Sequence, residues 1–422
     1  MTLTIHRGTH EIGGSCIEIN TSTTRLFIDF GLPLTENTID NRDLAKYSYT
    51  ELISKGIAPS ILYLLEKQDD KPTYLLLTHS HLDHYGLLPF FPSNVGVYSS
   101  KGTKIILEVS SLFRQTSFSP INVQVVEPWK PFILGDFTIT PYLADHSAVD
   151  AFSYLIEANS KRLFLSGDLR AHGRKHILFE NLVKNPPKNI DYLVLEGSTL
   201  GRNAIEYRTE EDVEKAITEE IRNDSLYIAS FSTQNIDRFV SFFKACRKSN
   251  RIFVLDPYTA YVLDRLKELS PNIPQFNWDE SFRIYFIKHP YTDILADDKT
   301  VYKYQKAKIT IEEIKEKSSH IVIKDNTRLH FKLEKEGLLK NAKVIYSMWE
   351  GYLKKDDFYI TRNIPLVKIH CSGHAYPEDL VRFSNAVKPK YIIPNHTFNP
   401  DKYKDLFGEN VIELQDGQVF NC

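Results

Sequence analysis

Thr78-His79-Ser80-His81-Leu82-Asp83-His84 follows directly on the apolar run Tyr74-Leu75-Leu76-Leu77. The run has the length and composition of a buried strand, so imidazoles and a carboxylate stand together at its end. Burying them there is costly unless something binds them. In an extended chain, residues two apart face the same way, so His79 and His81 are set toward one point. Imidazole with carboxylate suits Zn²⁺, and also Fe or Mn. The stretch reads as a metal site at a strand end.

The same pattern recurs along the chain. A strand over 137–143 ends in Asp145-His146, one over 162–165 in Ser166-Gly167-Asp168, and one over 192–195 in Glu196. An early alternating segment closes on Leu26-Phe27-Ile28-Asp29. Chemistry is expected at such ends because the sheet holds them rigidly. The stretch from about 36 to 70 is loop or helical cover. After about residue 205 the composition shifts. Helices are predicted over 209–223, with Thr209 as the cap, 234–248 and 260–269, and strands over 226–230 and 252–255. This βα alternation marks a parallel sheet with covering helices. The Lys- and Glu-rich stretch 300–343 reads as a solvated face. Further strands are expected over 344–346, 367–370 and 391–393, the last ending in Asn395-His396, with a helix over 379–387.

With 422 residues, two domains are expected. An apolar content of 42% and a charged content of 25% are ordinary for a globular chain. No apolar run approaches the ~20 residues of a membrane span, and the N-terminus lacks a secretory core. Cys16, Cys246, Cys371 and Cys422 are scattered without a CxxC pair, which indicates neither a disulfide framework nor a thiolate zinc site. A cytoplasmic location is the default expectation. The formal net charge of −2 requires any phosphate-binding surface to be local. In order, the candidate ligands are His79, His81, Asp83, His84, His146, Asp168 and His396. They are too many for one tetrahedral Zn²⁺ and suit two metals sharing a carboxylate.

At these residues the chain resembles the metallo-β-lactamase superfamily, with its His-x-His-x-Asp-His signature. The resemblance covers most of 1–205 and the C-terminal part. It implies an α/β fold: a metallo-β-lactamase αββα sandwich with an inserted β-CASP α/β domain. The implied division is 1–205 for the first part of the sandwich, 206–350 for the β-CASP domain and 351–422 for the completion. By the same resemblance His79, His81 and His146 would hold one metal, Asp83, His84 and His396 the second, and Asp168 would bridge. The ions would be two Zn²⁺, with Mn²⁺ as an alternative. Asp29 matches a supporting aspartate that binds no metal. Glu196 in Val194-Leu195-Glu196-Gly197-Ser198-Thr199 and the run Ile369-His370-Cys371-Ser372-Gly373-His374-Ala375 resemble two motifs of β-CASP nucleases, and His396 resembles a third, of RNA-processing type. The Ser-Gly-His-Ala run is similar to that of ribonuclease J.

The resemblance implies a ribonuclease acting on single-stranded RNA, with Asp168, Glu196 and His374 catalytic. His370, Ser372, Gly373 and Ala375 would contact a substrate phosphate. The inserted domain is expected to close over the metal face. Two departures stand out: Thr397-Phe398 replaces the usual Gly-Glu, and the chain stops at Cys422, so the family's extra C-terminal domain is expected to be absent. The alternatives are a dinuclear-metal thioester or lactone hydrolase, which needs neither Glu196 nor His374, and a non-catalytic RNA-binding scaffold. The basic run Arg170-Ala171-His172-Gly173-Arg174-Lys175-His176 reads equally as surface or as a polyanion approach. Trp349 reads as packing more than as base stacking. The mode of cleavage, the 5′-end preference and the oligomeric state are left open.

Overall fold

The computed structural model describes all residues except 35–38, 66–69, 114–121, 203–205, 278–280, 288–299 and 355–357. The chain divides into two compact units, residues 1–203 with 373–422, and residues 204–372.

The first unit holds two sheets. One contains β1 (Thr2–Arg7), β2 (Cys16–Asn20), β3 (Arg25–Ile28), β4 (Thr73–Leu76), β5 (Gly96–Ser99) and β6 (Val123–Val125). The other contains β7 (Phe132–Leu134), β8 (Phe137–Leu143), β9 (Phe152–Ala158), β10 (Lys161–Leu165) and β11 (Tyr192–Glu196). Late in the chain, β18 (Tyr391–Asn395) joins the second sheet beside β11, and β19 (Val419–Asn421) joins the first beside β1. The first unit is therefore completed only by the C-terminal segment.

Period-two alternation builds the layers. Leu26 and Ile28 of β3 face Leu163 and Leu165 of β10, and Tyr192 and Val194 of β11, in a core between the sheets. The intervening Phe27 faces outward, where Tyr49, Leu52 and Leu107 from helices Tyr49–Ser54 and Lys101–Leu112 cover it. On the far side, Phe164, Leu193 and Ile392 meet Phe179, Leu182, Leu380 and Phe383 of helices His176–Lys184 and Pro377–Val387. The result is a helix–sheet–sheet–helix sandwich. Each such fully buried side chain contributes about 1.5–3 kcal/mol.

The second unit is built on one parallel sheet of β12 (Leu226–Ser230), β13 (Ile252–Leu255), β14 (Phe282–Ile284), β15 (Ile321–Lys324), β16 (Ala342–Tyr346) and β17 (Leu366–Lys368), in the order β14-β13-β15-β12-β16-β17. Ile228, Val254, Ile323 and Val344 pack on one face. Phe239, Phe242, Phe253 and Phe282 pack against one another nearby.

Three expectations need correction here. The stretch 300–343 is more than a solvated face: it contains β15, an inner strand of this sheet, because the short apolar run Ile321-Val322-Ile323 is buried between charged neighbours. The helix expected from 260 starts at Pro257, since Asp256 accepts the Thr259 N–H at 2.7 Å and caps it. The return to the first unit, expected at 351, comes after residue 372, because β17 pairs with β16 and keeps 366–368 in the second sheet. Among the described residues no helix is long and apolar enough to cross a membrane.

Candidate metal centre

The site lies where strands of the first unit end. β10, β11 and β18 run parallel, with Leu165 opposite Val194 and Glu196 opposite Asn395. Their carboxyl ends are therefore level and deliver Asp168, Glu196 and His396 to one edge. Ligand sites form at such edges because the backbone there is fixed while the following loops vary. β4 ends in the His motif. His81 occupies the N-cap position of the one-turn helix Leu82–Tyr85, and that turn carries Asp83 and His84 round to a second position. Asp29, just after β3, and His396, just after β18, both have left-handed backbone (φ 60° and 51°). Such conformations cost about 1–3 kcal/mol and persist only where the surroundings enforce them.

The donor atoms converge in two sets. Nδ1 of His81 lies 3.1 Å from Nε2 of His79 and 3.2 Å from Nε2 of His146. Oδ2 of Asp83 lies 3.3 Å from Nε2 of His396 and 3.7 Å from Nε2 of His84. Asp168 stands between them: its Oδ2 is 3.1 Å from His84 Nε2, 3.7 Å from His79 Nε2 and 3.9 Å from His146 Nε2, and its Oδ1 is 3.6 Å from His396 Nδ1. All seven expected ligands are brought together, in groups whose donor atoms lie within 4.8 Å of one another.

The donor set fits metal. Oδ2 of Asp168 is buried without a well-aligned hydrogen bond, although imidazoles surround it. Burial, together with the neighbouring imidazoles, holds His79 and His146 far below their ordinary protonation range, and burial lowers His81 to about 4. Their mutually facing nitrogens then present lone pairs that a cation satisfies and that protons cannot satisfy simultaneously. Burial raises the Asp83 carboxyl, but His84 and His396 outweigh that and hold it at about 2, so it too is an anionic donor.

Neighbouring groups orient these ligands. Oδ2 of Asp29 is 2.7 Å from Nδ1 of His84 and accepts the Thr78 hydroxyl at 2.7 Å, while Oδ1 accepts the Thr78 N–H at 2.8 Å. The Thr78 Oγ1 in turn lies 3.0 Å from His79 Nδ1. Oγ of Ser198 is 2.8 Å from Nδ1 of His396 and donates to the His396 carbonyl at 3.1 Å. Lys175 Nζ donates to the His146 carbonyl at 3.1 Å. Such contacts set ring tautomers and basicity. Thr78 opens the His motif and Ser198 sits two residues past Glu196, yet neither is recognisable as a site residue from sequence. A hydroxyl beside a strand end is too common in sequence to be recognised.

The basic run after Asp168 is partly framework. Arg170 is fully buried, its N–H donating to the Asp145 carbonyl at 2.7 Å and its Nε 3.5 Å from Asp145 Oδ1. His172 stacks on Tyr376 at 4.3 Å between ring centroids. These contacts brace the loop carrying His146, which corrects the reading of Arg170 and His172 as exposed.

Glu196 accepts the Leu169 N–H at 3.0 Å and the Ser198 N–H at 3.2 Å. Nδ1 of His374 is 3.2 Å from Glu196 Oε2 and 3.7 Å from Asp168 Oδ2. Burial disfavours the imidazolium of His374, but Glu196 and Asp168 outweigh it and raise its protonation range. A Cβ on Gly373 would meet Ser147 Oγ at 2.9 Å and His146 Cε1 at 3.6 Å, so the absent side chain permits this turn's approach to the site. Ala375 offers no backbone donor to a phosphate: its N–H goes to the Leu169 carbonyl at 2.6 Å and its carbonyl accepts from Thr199. These two contacts hold Ala375 in place beside the site. His370 and Ser372 belong to the second unit, where Nδ1 of His370 lies 3.0 Å from Arg238 Nη1 and Ser372 is buried.

Fold and donor set together define a metallo-β-lactamase-type αββα sandwich, interrupted by a second α/β unit, with a candidate metal centre. Residues 59–215 match a β-lactamase superfamily domain, and 360–402 a Zn-dependent metallo-hydrolase RNA specificity domain. The chain is similar to ribonuclease J of Mycoplasma pneumoniae (24% identity over 92% of this chain and 66% of that protein) and of Helicobacter pylori strain 26695 (22%, 92% and 55%). It thus spans less than two thirds of the length of these curated relatives. A crystal structure of a protein of unknown function from Enterococcus faecalis V583 shares the fold, with a TM-score of 0.78, 21% identity and 99% coverage of both chains.

Proposed function

We propose that the chain is a metal-dependent ribonuclease that hydrolyses phosphodiester bonds of single-stranded RNA with two Zn²⁺ ions. The observation that carries this is His374: an imidazole 3.2 Å from a buried carboxylate of Glu196 and 3.7 Å from the carboxylate that joins the two donor sets. The similarity to ribonuclease J and to an RNA specificity domain supports RNA as the substrate.

His79, His81 and His146 would hold one ion, Asp83, His84 and His396 the other, and Asp168 both. Bound there, the ions supply Lewis acidity and a water of lowered pKa. Asp168 orients the attacking oxygen. His374 holds a proton at Nε2 for the leaving 3′ oxygen, while Glu196 fixes the ring through Nδ1 and favours the imidazolium. Ester hydrolysis through the same ligands would need neither residue, which weighs against the thioester or lactone reading.

Incubation with RNA labelled at the 5′ end or internally, with mono- or triphosphate ends, across Zn²⁺ and Mn²⁺, tests the proposal. Metal-dependent RNA products are expected, and their lengths separate endo- from exonucleolytic cleavage. Turnover of a small-ester panel without RNA cleavage would overturn it.

A further inference from the structure

Three loops of the first unit, those carrying Asp168, Glu196 and His374, are tied into a ring by hydrogen bonds. The N–H of Leu169, next to Asp168, donates to Glu196 Oε1 at 3.0 Å. The Leu169 carbonyl accepts the N–H of Ala375, next to His374, at 2.6 Å. The Ala375 carbonyl accepts the hydroxyl of Thr199, three residues past Glu196, and the backbone from 199 to 196 closes the ring. Two of these links use main-chain N–H groups, which any residue but proline supplies. The third needs a side-chain hydroxyl.

That hydroxyl sits on a turn held in place from several sides. The Leu195 carbonyl accepts the Tyr403 hydroxyl at 2.8 Å, and the Gly197 carbonyl accepts the Thr397 hydroxyl at 3.0 Å and the Leu200 N–H at 3.1 Å. A Cβ on Gly197 would meet Tyr403 Oη at 2.3 Å, so the turn lies directly on that ring. Thr199 is 4% and Ala375 0% exposed. Without the hydroxyl, the Ala375 carbonyl would be left buried and short of a donor, a state that costs enough to move the chain. A shift of residue 375 carries its neighbour His374 with it.

We infer that Thr199 is a positioning residue for proton transfer. Through the Ala375 carbonyl it holds the His374 ring at its 3.2 Å from Glu196 and 3.7 Å from Asp168. The kinetic consequence rests on the ribonuclease reading; the geometric claim does not.

Thr199→Val keeps the branched shape and deletes the hydroxyl, while Thr199→Ser keeps the hydroxyl. With labelled RNA and Zn²⁺, Thr199→Val should lower kcat about 10–100-fold, the effect of misplacing a catalytic group by a fraction of its contact distance. KM and bound metal should match the wild type, and Thr199→Ser should restore kcat. In a His374→Ala background, Thr199→Val should add no further loss, because the hydroxyl acts through that ring. A lowered urea midpoint with wild-type kcat would make Thr199 a purely structural contact and overturn the inference. Losses that multiply, or a Thr199→Ser variant as slow as Thr199→Val, would overturn it too. Thr199→Ala takes the place of Thr199→Val if the latter does not fold.

The geometry is read without RNA from ¹H–¹⁵N spectra of histidine-labelled protein, with His374 assigned by its loss in His374→Ala. Its ring signals should shift in Thr199→Val and stay in place in Thr199→Ser; unchanged signals in Thr199→Val sink the inference. If the wild type does not cleave RNA, the ribonuclease reading falls and the kinetic arm with it, while the spectra still decide whether Thr199 sets the ring.

Discussion

Ser198 and His396, nearly two hundred positions apart in sequence, share two contacts: Ser198 Oγ lies 2.8 Å from the ring Nδ1 and donates to the His396 carbonyl at 3.1 Å. A hydroxyl has one hydrogen, and the carbonyl takes it. Toward the ring Ser198 therefore accepts, Nδ1 carries the proton, and the Nε2 lone pair points to the Asp83 side, where a metal would sit. Ser198→Ala should weaken metal binding about 10–100-fold while the fold is kept. Zn²⁺ titration against a competing chelator measures this; unchanged affinity would show that another contact sets the ring.

His81→Ala removes the ring that faces both His79 and His146. Loss of metal-dependent RNA cleavage is expected, with a far-UV spectrum like the wild type's. Robust cleavage by this variant would refute the assignment of the first ligand set.

His374→Ala should retain the wild-type metal content and slow turnover by about 10²–10⁴, the usual worth of a general acid. Metal analysis and single-turnover kinetics decide it. A fall in bound metal would make His374 a ligand instead.

Gly31→Ala tests the framework. A Cβ there would stand 1.7 Å from the Asp83 carbonyl oxygen and 2.3 Å from its carbon, backbone atoms that cannot swing aside. Overpacking of this kind costs about 1–3 kcal/mol or more, and here it displaces Asp83 and His84. Urea denaturation should show the loss, and metal binding should fall with it; wild-type values for both would mean that the loop yields freely.

Glu18 provides a pH prediction away from the site. Burial raises its carboxyl, but hydrogen bonds from His6 (2.6 Å), Tyr63 and Asn20 (2.7 Å) outweigh burial and hold it at about 2. Its folded value lies below the unfolded ~4.3. The stabilisation is therefore complete above about pH 4.3 and lost as pH falls toward 2, at about 3 kcal/mol in all. In urea unfolding, the stability difference between the wild type and Glu18→Gln should be full at pH 7 and fall to about half by pH 3. Parallel curves would refute it.

Much of the site was legible because its elements are local. A buried strand shows as an apolar run, and titratable residues at its end are conspicuous, so His79 to His84, His146, Asp168 and His396 stood out. The strands themselves follow from period-two alternation, as in Leu26-Phe27-Ile28. β15 escapes a sequence reading because three apolar residues between Ser318-Ser319-His320 and Lys324-Asp325 carry too little pattern to stand against a charged stretch.

Local patterns alone show which residue types stand at strand ends, and hence that the chemistry calls for metal. Which of them face one another follows from how the chain packs in three dimensions. Parallel register aligns Glu196 with Asn395 and so brings Ser198 to His396, and the approach of Gly31 sets the turn at Asp83. Orientation and tautomer depend on contacts between residues far apart in the chain, and no local pattern encodes those contacts.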